Sequence, residues 1–241
     1  MIEESWNHRT EMLLGAEKLD VLKQKHVLVA GLGGVGAFAA EMLCRAGIGK
    51  LTILDGDAVS PSNRNRQLLA MKSTEGKRKA QLMEARLRDI NPEIELVVLD
   101  EYMKDERVEE ILDHPYDYVV DAIDTLSPKV FFIKGALDNG LKLVSSMGAG
   151  GKMNPGRVEA VDISETHGCK LAFYIRKRLQ KFGIRSGFKA VFSPEPIEKE
   201  RIIRTDGTQN KKSTVGTISY MPAVFGCFCA SVVIRNFVSD F

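Results

Sequence analysis

A chain of 241 residues with 44% hydrophobic and 27% charged residues has the composition of a folded globular protein. This apolar content excludes disorder along the whole chain, and a net charge of +2 is too small to indicate a nucleic-acid or membrane partner on its own. Four scattered cysteines, and a polar N-terminus without a secretory pattern, predict a protein of the reducing cytoplasm.

The first 150 residues alternate short apolar runs with longer amphipathic segments. The apolar runs predict strands at 26–30, 50–54, 95–99, 116–121 and 142–146. The amphipathic segments predict helices at 37–46, 76–90, 105–112 and 127–139. Strands separated by helices of this length are typical of a parallel sheet. We therefore expect an α/β fold, a Rossmann-like, doubly wound and mainly parallel sheet with helices on both faces.

The later part of the chain is less regular and predicts an α+β extension of that sheet. Strands are expected at 157–162 and 188–192, on either side of a basic helix at 171–182. The polar segment 195–213 has no clear period and is predicted to be a mobile loop. The segment 222–237 is predicted to be a closing helix, with Pro222 in its first turn.

We expect one domain over residues 1–241. Its parts are a helical arm (1–24), a nucleotide-binding core (25–150) and a basic substrate-binding and closing part (151–241). The longest weakly polar run, 220–234, is shorter than the ~20 residues of a membrane-spanning helix, so a buried helix and no membrane partner are expected.

Positive charge is concentrated in one segment. Between Lys170 and Lys212 there are twelve basic and four acidic residues, which gives this segment a net charge of +8. The near-neutral total therefore conceals a basic region attached to a slightly acidic body.

A glycine-rich loop follows the first predicted strand and opens the next helix. Its glycines are Gly31, Gly33, Gly34 and Gly36. Glycines allow the backbone to approach a phosphate closely, and the helix N-terminus presents free N–H groups to the anion. Asp55 ends the second predicted strand, where a carboxylate is placed to accept hydrogen bonds from ribose hydroxyls. The loop predicts a nucleotide site but does not distinguish ATP from NAD.

The residues after Asp55 favour a triphosphate. The stretch 55–67 and the run G-K-R-K at 76–79 supply Asn63, Arg66 and Lys79, which are suited to hold phosphates and a departing pyrophosphate. The uncharged nicotinamide end of NAD needs no such cluster.

Two carboxylates end the fourth predicted strand, in the run D-A-I-D. Asp124 lies just past the strand and is the favoured Mg²⁺ ligand, since that ion takes carboxylate and phosphate oxygens. Asp121 has two open interpretations, a second site residue, or a carboxylate that caps the helix region at Ser127 or bonds backbone groups.

The runs G-L-G-G-V-G, L-D-G-D-A-V-S-P-S-N-R-N-R-Q, G-K-R-K and D-A-I-D together resemble the ubiquitin-activating-enzyme-like superfamily over residues 5–150. Its bacterial members adenylate carboxylates, as the molybdopterin and thiamin sulfur-carrier adenylyltransferases do. Later runs are similar to one branch, the tRNA threonylcarbamoyladenosine dehydratases. They are S-S-M-G-A-G-G-K-M-N-P (145–155), D-I-S-E-T (162–166), R-K-R-L-Q-K-F-G-I (176–184) and V-G-T-I-S-Y-M-P-A-V-F-G (215–226).

This resemblance implies an ATP-dependent, ligase-type enzyme that adenylates the threonine carboxylate of threonylcarbamoyladenosine in tRNA and closes it into a cyclic, dehydrated form. The implied catalytic residues are Arg66, Lys79, Asp124 with its Mg²⁺, and Arg9. The implied ATP-binding residues are Gly31, Gly33, Gly34, Gly36, Asp55, Asp57, Asn63, Arg66, Gln67, Lys79 and Asp124.

The N-terminal run H-R-T-E-M-L-L is similar to a family segment whose arginine reaches the partner subunit's site. The resemblance therefore implies that Arg9 acts in trans within a homodimer. The alternative is that 11–16 is a packing helix beside an exposed Arg9.

Under the same resemblance the basic region is expected to neutralise tRNA phosphates. The predicted tRNA-binding residues are Arg176, Lys177, Arg178, Lys181, Arg204, Lys211 and Lys212.

Sulfur-carrier relatives commonly carry two C-x-x-C pairs that bind zinc. This chain has only Cys227-Phe228-Cys229, so no zinc is expected. A cysteine desulfurase partner follows from family association alone.

Two other functions remain open from the sequence. One is an adenylyltransferase for a small ubiquitin-like carrier protein, and the other is an NAD-dependent or non-catalytic Rossmann protein. The basic segment and the missing cysteine pairs favour the tRNA-modifying enzyme.

Overall fold

The computed structural model describes residues 5–103, 105–198, 202–204 and 213–238. The helices are α1 (His8–Leu14), α2 (Ala16–Lys23), α3 (Gly36–Ala46), α4 (Lys79–Ile90), α5 (Asp105–Leu112), α6 (Leu126–Asp138), α7 (Lys170–Leu179) and α8 (Tyr220–Phe237). The strands are β1 (His26–Ala30), β2 (Lys50–Leu54), β3 (Glu95–Leu99), β4 (Tyr118–Asp121), β5 (Leu143–Ser146), β6 (Glu159–Asp162), β7 (Lys189–Phe192), β8 (Ile202–Arg204) and β9 (Ser213–Val215).

Seven strands form one twisted sheet in the order β3-β2-β1-β4-β5-β7-β6. All neighbouring pairs are parallel except β6 with β7, which is antiparallel. The central strands are short and buried along nearly their whole length, as expected where helices cover both faces. The predicted α/β, doubly wound and mainly parallel fold is confirmed.

Helices on the two faces of the sheet enclose two hydrophobic clusters. One cluster packs α3, α4 and α8 against the first face, with Leu43, Met83 and Phe225 fully buried. The other packs α5, α6 and α7 against the second face, with Leu112 and Phe132 fully buried. The central strands are thus shielded on both sides, so that of these strands the ends are the accessible part, whereas the edge strands β3 and β6 are partly exposed.

Helix α8 packs directly on α3. A Cβ at Gly226 would overlap the carbonyl oxygen of Val35 and lie 2.8 Å from Cβ of Phe38, so the two helix backbones approach closely. By length and composition α8 would also suit a membrane span, a test that core helices pass as well. Its residues Met221 and Cys229 are fully buried against the rest of the protein.

The structure differs from the expected mobile loop at 195–213 in the described part of that segment; residues 199–201 and 205–212 lie outside the described residues. Strands β8 and β9 form a two-stranded antiparallel ribbon, with Ile202 paired to Val215 and Arg204 to Ser213. The expectation failed because a short ribbon of mixed polarity has too few alternations to show a period of two.

Candidate active site

The candidate site lies where the strand order reverses. Strands β1 and β4 are neighbours in the sheet, yet β1 leads outward to β2 and β4 leads outward to β5. The loops that follow such a pair diverge and leave a crevice at the carboxyl ends of the strands. The glycine loop follows β1, and the segment that carries Asp124 follows β4.

The glycine loop is shaped by close backbone contacts. Gly31 has φ +89°, and a Cβ there would lie 2.8 Å from the carbonyl oxygen of Ala122 in the loop after β4. A Cβ at Gly36 would overlap the carbonyl oxygen of Gly31. At Gly33, by contrast, the nearest described heavy atom beyond its chain neighbours would be Nε2 of Gln67, at 3.8 Å. The loop therefore has no room for a side chain at Gly31 and Gly36 but open space at Gly33, as a phosphate-binding loop requires.

Asp55 fixes the glycine loop. Its Oδ2 accepts a hydrogen bond from the backbone N–H of Leu32 at 2.6 Å, and its Oδ1 accepts one from that of Asp57 at 2.7 Å. Burial raises the pKa of Asp55, while the Lys79 ammonium and these two N–H groups oppose the rise. The carboxylate thus couples the end of β2 to the loop after β1.

Lys79 begins α4 and points its charge into the site. Its side chain is 5% exposed, and Nζ lies 2.9 Å from Oδ2 of Asp57. Oδ1 of Asp57 accepts a hydrogen bond of 2.9 Å from the hydroxyl of Tyr102, beyond the end of β3. Two sequence-predicted residues are therefore brought together, and Tyr102 is a third member that sequence reasoning missed.

The segment 61–67 forms the next wall. Oδ1 of Asn63 accepts the backbone N–H of Ser60, so part of its amide is used in shaping the turn. Nη1 of Arg66 donates to the carbonyl of Ser62 and to Oδ1 of Asn65, both at 2.9 Å. Among the described residues no hydrogen bond is made by its Nε or Nη2, and these two groups are suited to bind an anion.

Gln67 supplies a polar atom that points to a ligand. Its Oε1 is buried and lacks a hydrogen-bond partner among the described residues. A buried acceptor without a partner is costly. Beyond the chain neighbours, Nε2 of the same amide is the nearest described heavy atom to a Cβ at Gly33, so the side chain borders the glycine loop.

Asp121 is buried in the structure and binds protein groups. Its Oδ2 lies 2.8 Å from Nζ of Lys129 and accepts a hydrogen bond from Oγ of Ser145, and its Oδ1 accepts the backbone N–H of Ile123. Lys129 also donates to the carbonyl of Ile123. Of the two interpretations of Asp121, the structure favours the bond to the backbone. Asp124 is exposed beyond this fully buried ion pair, at the rim of the crevice.

The start of α8 closes the site from the far end of the chain. A Cβ at Gly34 would lie 2.9 Å from Cβ of Pro222, and Nδ2 of Asn65 donates to the carbonyl of Thr217 at 2.9 Å. Sequence analysis predicted 222–237 as a closing helix and gave it no contact with the nucleotide site. The contact was foreseeable only from the three-dimensional position of α8, because no phosphate-binding signal marks the residues around Pro222.

The two missed residues, Tyr102 and Lys129, differ in how far a sequence pattern could have indicated them. Tyr102 follows β3, which lies beside β2, so the carboxyl-end rule for parallel sheets would have brought it near Asp57. Lys129 shares α6 with a second lysine, Lys134, so no sequence signal marked Lys129 as the buried member of an ion pair.

No group of three or more His, Cys, Asp or Glu side chains within the described part of the chain is arranged to hold a metal ion. The cysteines are all free. Cys44, Cys169 and Cys229 are buried, and Cys227 is exposed.

The basic residues predicted to bind tRNA fall into three groups. Lys177, Arg178 and Lys181 are exposed on α7 and the turn that follows it. Arg176 is half-buried and donates to the carbonyl of Thr166 at 2.7 Å, so it also holds the loop before α7. The side chain of Arg204, and all of Lys211 and Lys212, lie outside the described residues.

Arg9 is exposed on α1, a helix without a buried residue. Its neighbours Met12 and Leu13 are 74% and 72% exposed. Helix α1 ends at Leu14, whose half-buried side chain packs against the first hydrophobic cluster, while Met12 and Leu13 are uncovered in the single chain. Both interpretations of this segment therefore stay open.

The family model that matches the chain is described as the ThiF family and covers residues 7–240. A relative from Bacillus subtilis (strain 168), named tRNA threonylcarbamoyladenosine dehydratase, is 39% identical over 239 residues, which is 96% of this chain and 94% of the relative.

Two solved structures of the E. coli tRNA N6-threonylcarbamoyladenosine dehydratase are similar along nearly the whole chain, at 33% identity and a TM-score of 0.88. The complex with ATP covers 99% of this chain and 97% of that one. The complex with AMP covers 99% and 98%.

Proposed function

The chain belongs to the ThiF family, and from that premise we propose that it is an ATP-dependent tRNA threonylcarbamoyladenosine dehydratase. The observation that carries the proposal is the crevice between β1 and β4, an open glycine cradle bordered by Lys79 and Arg66. The E. coli relative was solved with ATP and with AMP, the nucleotides that enter and leave an adenylation.

In the proposed reaction the threonine carboxylate of the modified adenosine attacks the α-phosphorus of ATP, and pyrophosphate leaves. The carbamoyl group of the same nucleoside then attacks the activated carboxyl carbon, a ring closes and AMP is released. The net change is loss of one water from the nucleoside. Because the second step is intramolecular, positioning supplies much of the rate.

The residues of the chain have distinct parts in this proposal. The backbone of Gly33 and Gly34 and the N-terminus of α3 cradle the phosphates, and Asp55 binds ribose while it holds the loop. Lys79 and Arg66 stabilise the departing pyrophosphate, with Arg9 from a second subunit. Asn63 and Gln67 contribute polar contacts from the same wall.

Asp124 is the residue proposed to hold Mg²⁺. Its exposed carboxylate at the rim of the crevice suits a hard cation that takes one or two carboxylates with phosphate and water oxygens. When bound, the ion would neutralise phosphate charge.

A homodimer is part of the proposal, and exposed Met12 and Leu13 on α1 support it, since they need a covering surface. The tRNA is proposed to contact the basic residues of α7, and those of the segment 204–212. The proposed location is the cytoplasm, the compartment that holds tRNA and ATP.

The sulfur-carrier and NAD alternatives are not favoured. The dehydratase relatives match along nearly the whole chain, including the C-terminal part that the alternatives leave unexplained.

The test is mass spectrometry of nucleosides from tRNA incubated with the protein and ATP. We expect loss of one water from threonylcarbamoyladenosine, dependent on ATP. Asp124→Ala should abolish this loss, whereas Asp113→Ala, a change of an exposed aspartate after α5, should leave it unchanged. Dehydration without ATP, or full activity of Asp124→Ala, would contradict the proposal.

A further inference from the structure

Helix α7 exposes two adjacent aromatic rings. Phe173 is 52% exposed and Tyr174 is 50% exposed, and their ring centroids lie 5.4 Å apart at an interplanar angle of 72°. Exposed rings of this size are unusual on a helix whose opposite face, with Ala172 and Ile175, is fully buried.

The rings alternate with cations along the helix surface. At spacings of four residues, one row consists of Phe173, Lys177 and Lys181, and the next consists of Tyr174, Arg178 and Phe182. Residues four apart are neighbours on a helix, so each exposed aromatic ring has a cation beside it. The turn Gln180–Phe182 continues α7 and contains Phe182, the last residue of the second row.

The aromatic surface continues onto α6. Phe131 is 52% exposed, and its ring centroid lies 6.2 Å from that of Phe182. Lys134 places its Nζ 5.7 Å from the centroid of the same Phe182 ring. We call Phe131, Phe173, Tyr174 and Phe182, with Lys134, Lys177, Arg178 and Lys181, the aromatic–cationic face.

This face borders the candidate active site. Nη1 of Arg178 donates to Oγ of Ser127 at 2.7 Å, and Ser127 is three residues beyond Asp124. A polymer bound along the face would therefore pass the rim of the crevice.

Charge decides which occupant suits the face. Residues 170–194 contain seven Lys and Arg and no Asp or Glu. The cores of protein–protein interfaces are depleted of charged residues, so cations interleaved with the rings disfavour a protein partner. A chain that carries both negative charge and flat rings suits the pattern, and single-stranded nucleic acid is such a chain.

Resting on the proposed function, we propose that the aromatic–cationic face is a stacking platform for unpaired bases of the tRNA substrate. Phe173 and Tyr174 stack on bases, and Lys177 and Lys181 bind the adjoining phosphates. In a paired RNA helix the base faces are already covered by their neighbours, so the platform selects a loop over a stem.

The experiment compares two RNAs with full-length protein, a hairpin with 2-aminopurine in its unpaired loop and a duplex of equal length and charge. Dissociation constants are measured across a salt series. The double variant Phe173→Leu/Tyr174→Leu keeps apolar bulk without a ring. We expect it to bind the hairpin about tenfold more weakly and the duplex unchanged. The salt dependence should be unaltered, and the 2-aminopurine quenching seen with wild type should be lost.

A variant that removes two cations should change the salt dependence of binding, which the ring variant leaves unaltered. Lys177→Gln/Lys181→Gln should weaken both RNAs and lower the slope of log affinity against log salt by about 1.5. Both double variants should bind ATP as wild type does, and Val97→Ala, on the edge strand β3, should change no measurement.

Three results would overturn the platform. The first is equal affinity of wild type and the ring variant for the hairpin, and the second is an equal loss of affinity of the ring variant for hairpin and duplex. The third is a changed oligomeric state of the ring variant with unchanged RNA affinity, which would assign the face to a protein contact. Failure of the proposed function is distinguishable, since the wild-type protein would then not dehydrate tRNA. If wild type does dehydrate it and the ring variant has an unchanged KM for tRNA, only the platform fails.

Discussion

At the scale of single residues, a substitution at Gly33 is expected to change nucleotide affinity while it leaves the stability of the protein nearly unchanged. Beyond its chain neighbours, a methyl group there meets no described heavy atom closer than 3.8 Å, so we expect Gly33→Ala to stay within about 1 kcal/mol of wild type in free energy of unfolding. The same methyl group occupies the space where a phosphate approaches the backbone. Affinity for ATP, measured by calorimetry, should therefore fall at least about tenfold.

Gly36→Ala is the matched comparison, because its Cβ would overlap the carbonyl of Gly31 and should destabilise the fold itself. Wild-type ATP affinity in Gly33→Ala would show that the cradle is not the phosphate site.

His26 makes the stability of the protein depend on pH. Burial, and then the nearby Lys50 ammonium, lower its pKa to about 4. Its Nε2 lies 2.8 Å from Oγ1 of Thr52, and Tyr116 packs edge-on against its ring. An unfolded histidine titrates near 6.5, so between pH 6.5 and 4 the unfolded chain binds a proton that the folded chain does not. Stability should decline over this interval as the pH falls.

The measurement is the urea midpoint of unfolding at pH 7.5 and pH 5, for wild type and His26→Gln. The decline should be smaller in the variant. Glu95 and Asp117, which face the same ring, are present in both proteins, so the difference reports His26. An identical decline in both would assign the pH dependence to other groups.

Residue identity was predictable from the sequence more readily than residue role. Asp55 was placed at the nucleotide site from its position after a strand, but its two bonds to backbone N–H groups depend on loop geometry that no spacing encodes. Asn63 was expected to contact phosphate, and the structure shows its Oδ1 engaged in a turn. The phosphate contact of Asn63 stays a prediction, and Nδ2 is the atom that would make it.

At the scale of elements, the contact between α3 and α8 depends on Gly226. Alanine is favoured over glycine inside a helix by about 1 kcal/mol, but here its Cβ would overlap a backbone carbonyl that cannot move without displacing α3. We expect Gly226→Ala to lower the free energy of unfolding by about 1–3 kcal/mol in urea titrations. ATP binding should weaken too, because Pro222 at the start of α8 borders Gly34.

Gly148→Ala is the control for stability, since its Cβ would lie 3.9 Å or more from any described heavy atom beyond its chain neighbours. A Gly226→Ala protein as stable as this control would mean that α8 shifts freely on α3.

Elements were predictable where hydrophobic period and length agree. The parallel strands and the helices between them were found with boundaries that differ by a few residues, because buried strands and amphipathic helices have strong patterns. The ribbon of β8 and β9 was missed, since three-residue strands carry almost no pattern. The approach of α8 to the glycine loop depends on packing between segments far apart in sequence.

At the scale of the whole molecule, a homodimer with shared sites predicts complementation between inactive variants. Arg9→Ala and Asp124→Ala should each lose activity. When the two are unfolded, mixed equally and refolded, half of the dimers pair one of each, and each mixed dimer contains one intact site. Activity should then recover to about a quarter of the wild-type value.

The control refolds each variant alone, which should restore nothing. Absence of recovery in the mixture, with mixed dimers demonstrated by mass spectrometry, would place Arg9 in the site of its own subunit.

The bond from Asn65 to Thr217 joins residues 152 positions apart, and this has a consequence during synthesis. A ribosome that adds 5–20 residues per second needs roughly 8–30 s to make the intervening chain. Throughout that interval the glycine loop lacks the wall that α8 provides, and the surface of α3 that later receives α8 is bare. We therefore expect the complete ATP site to form only after α8 has been made, late in synthesis.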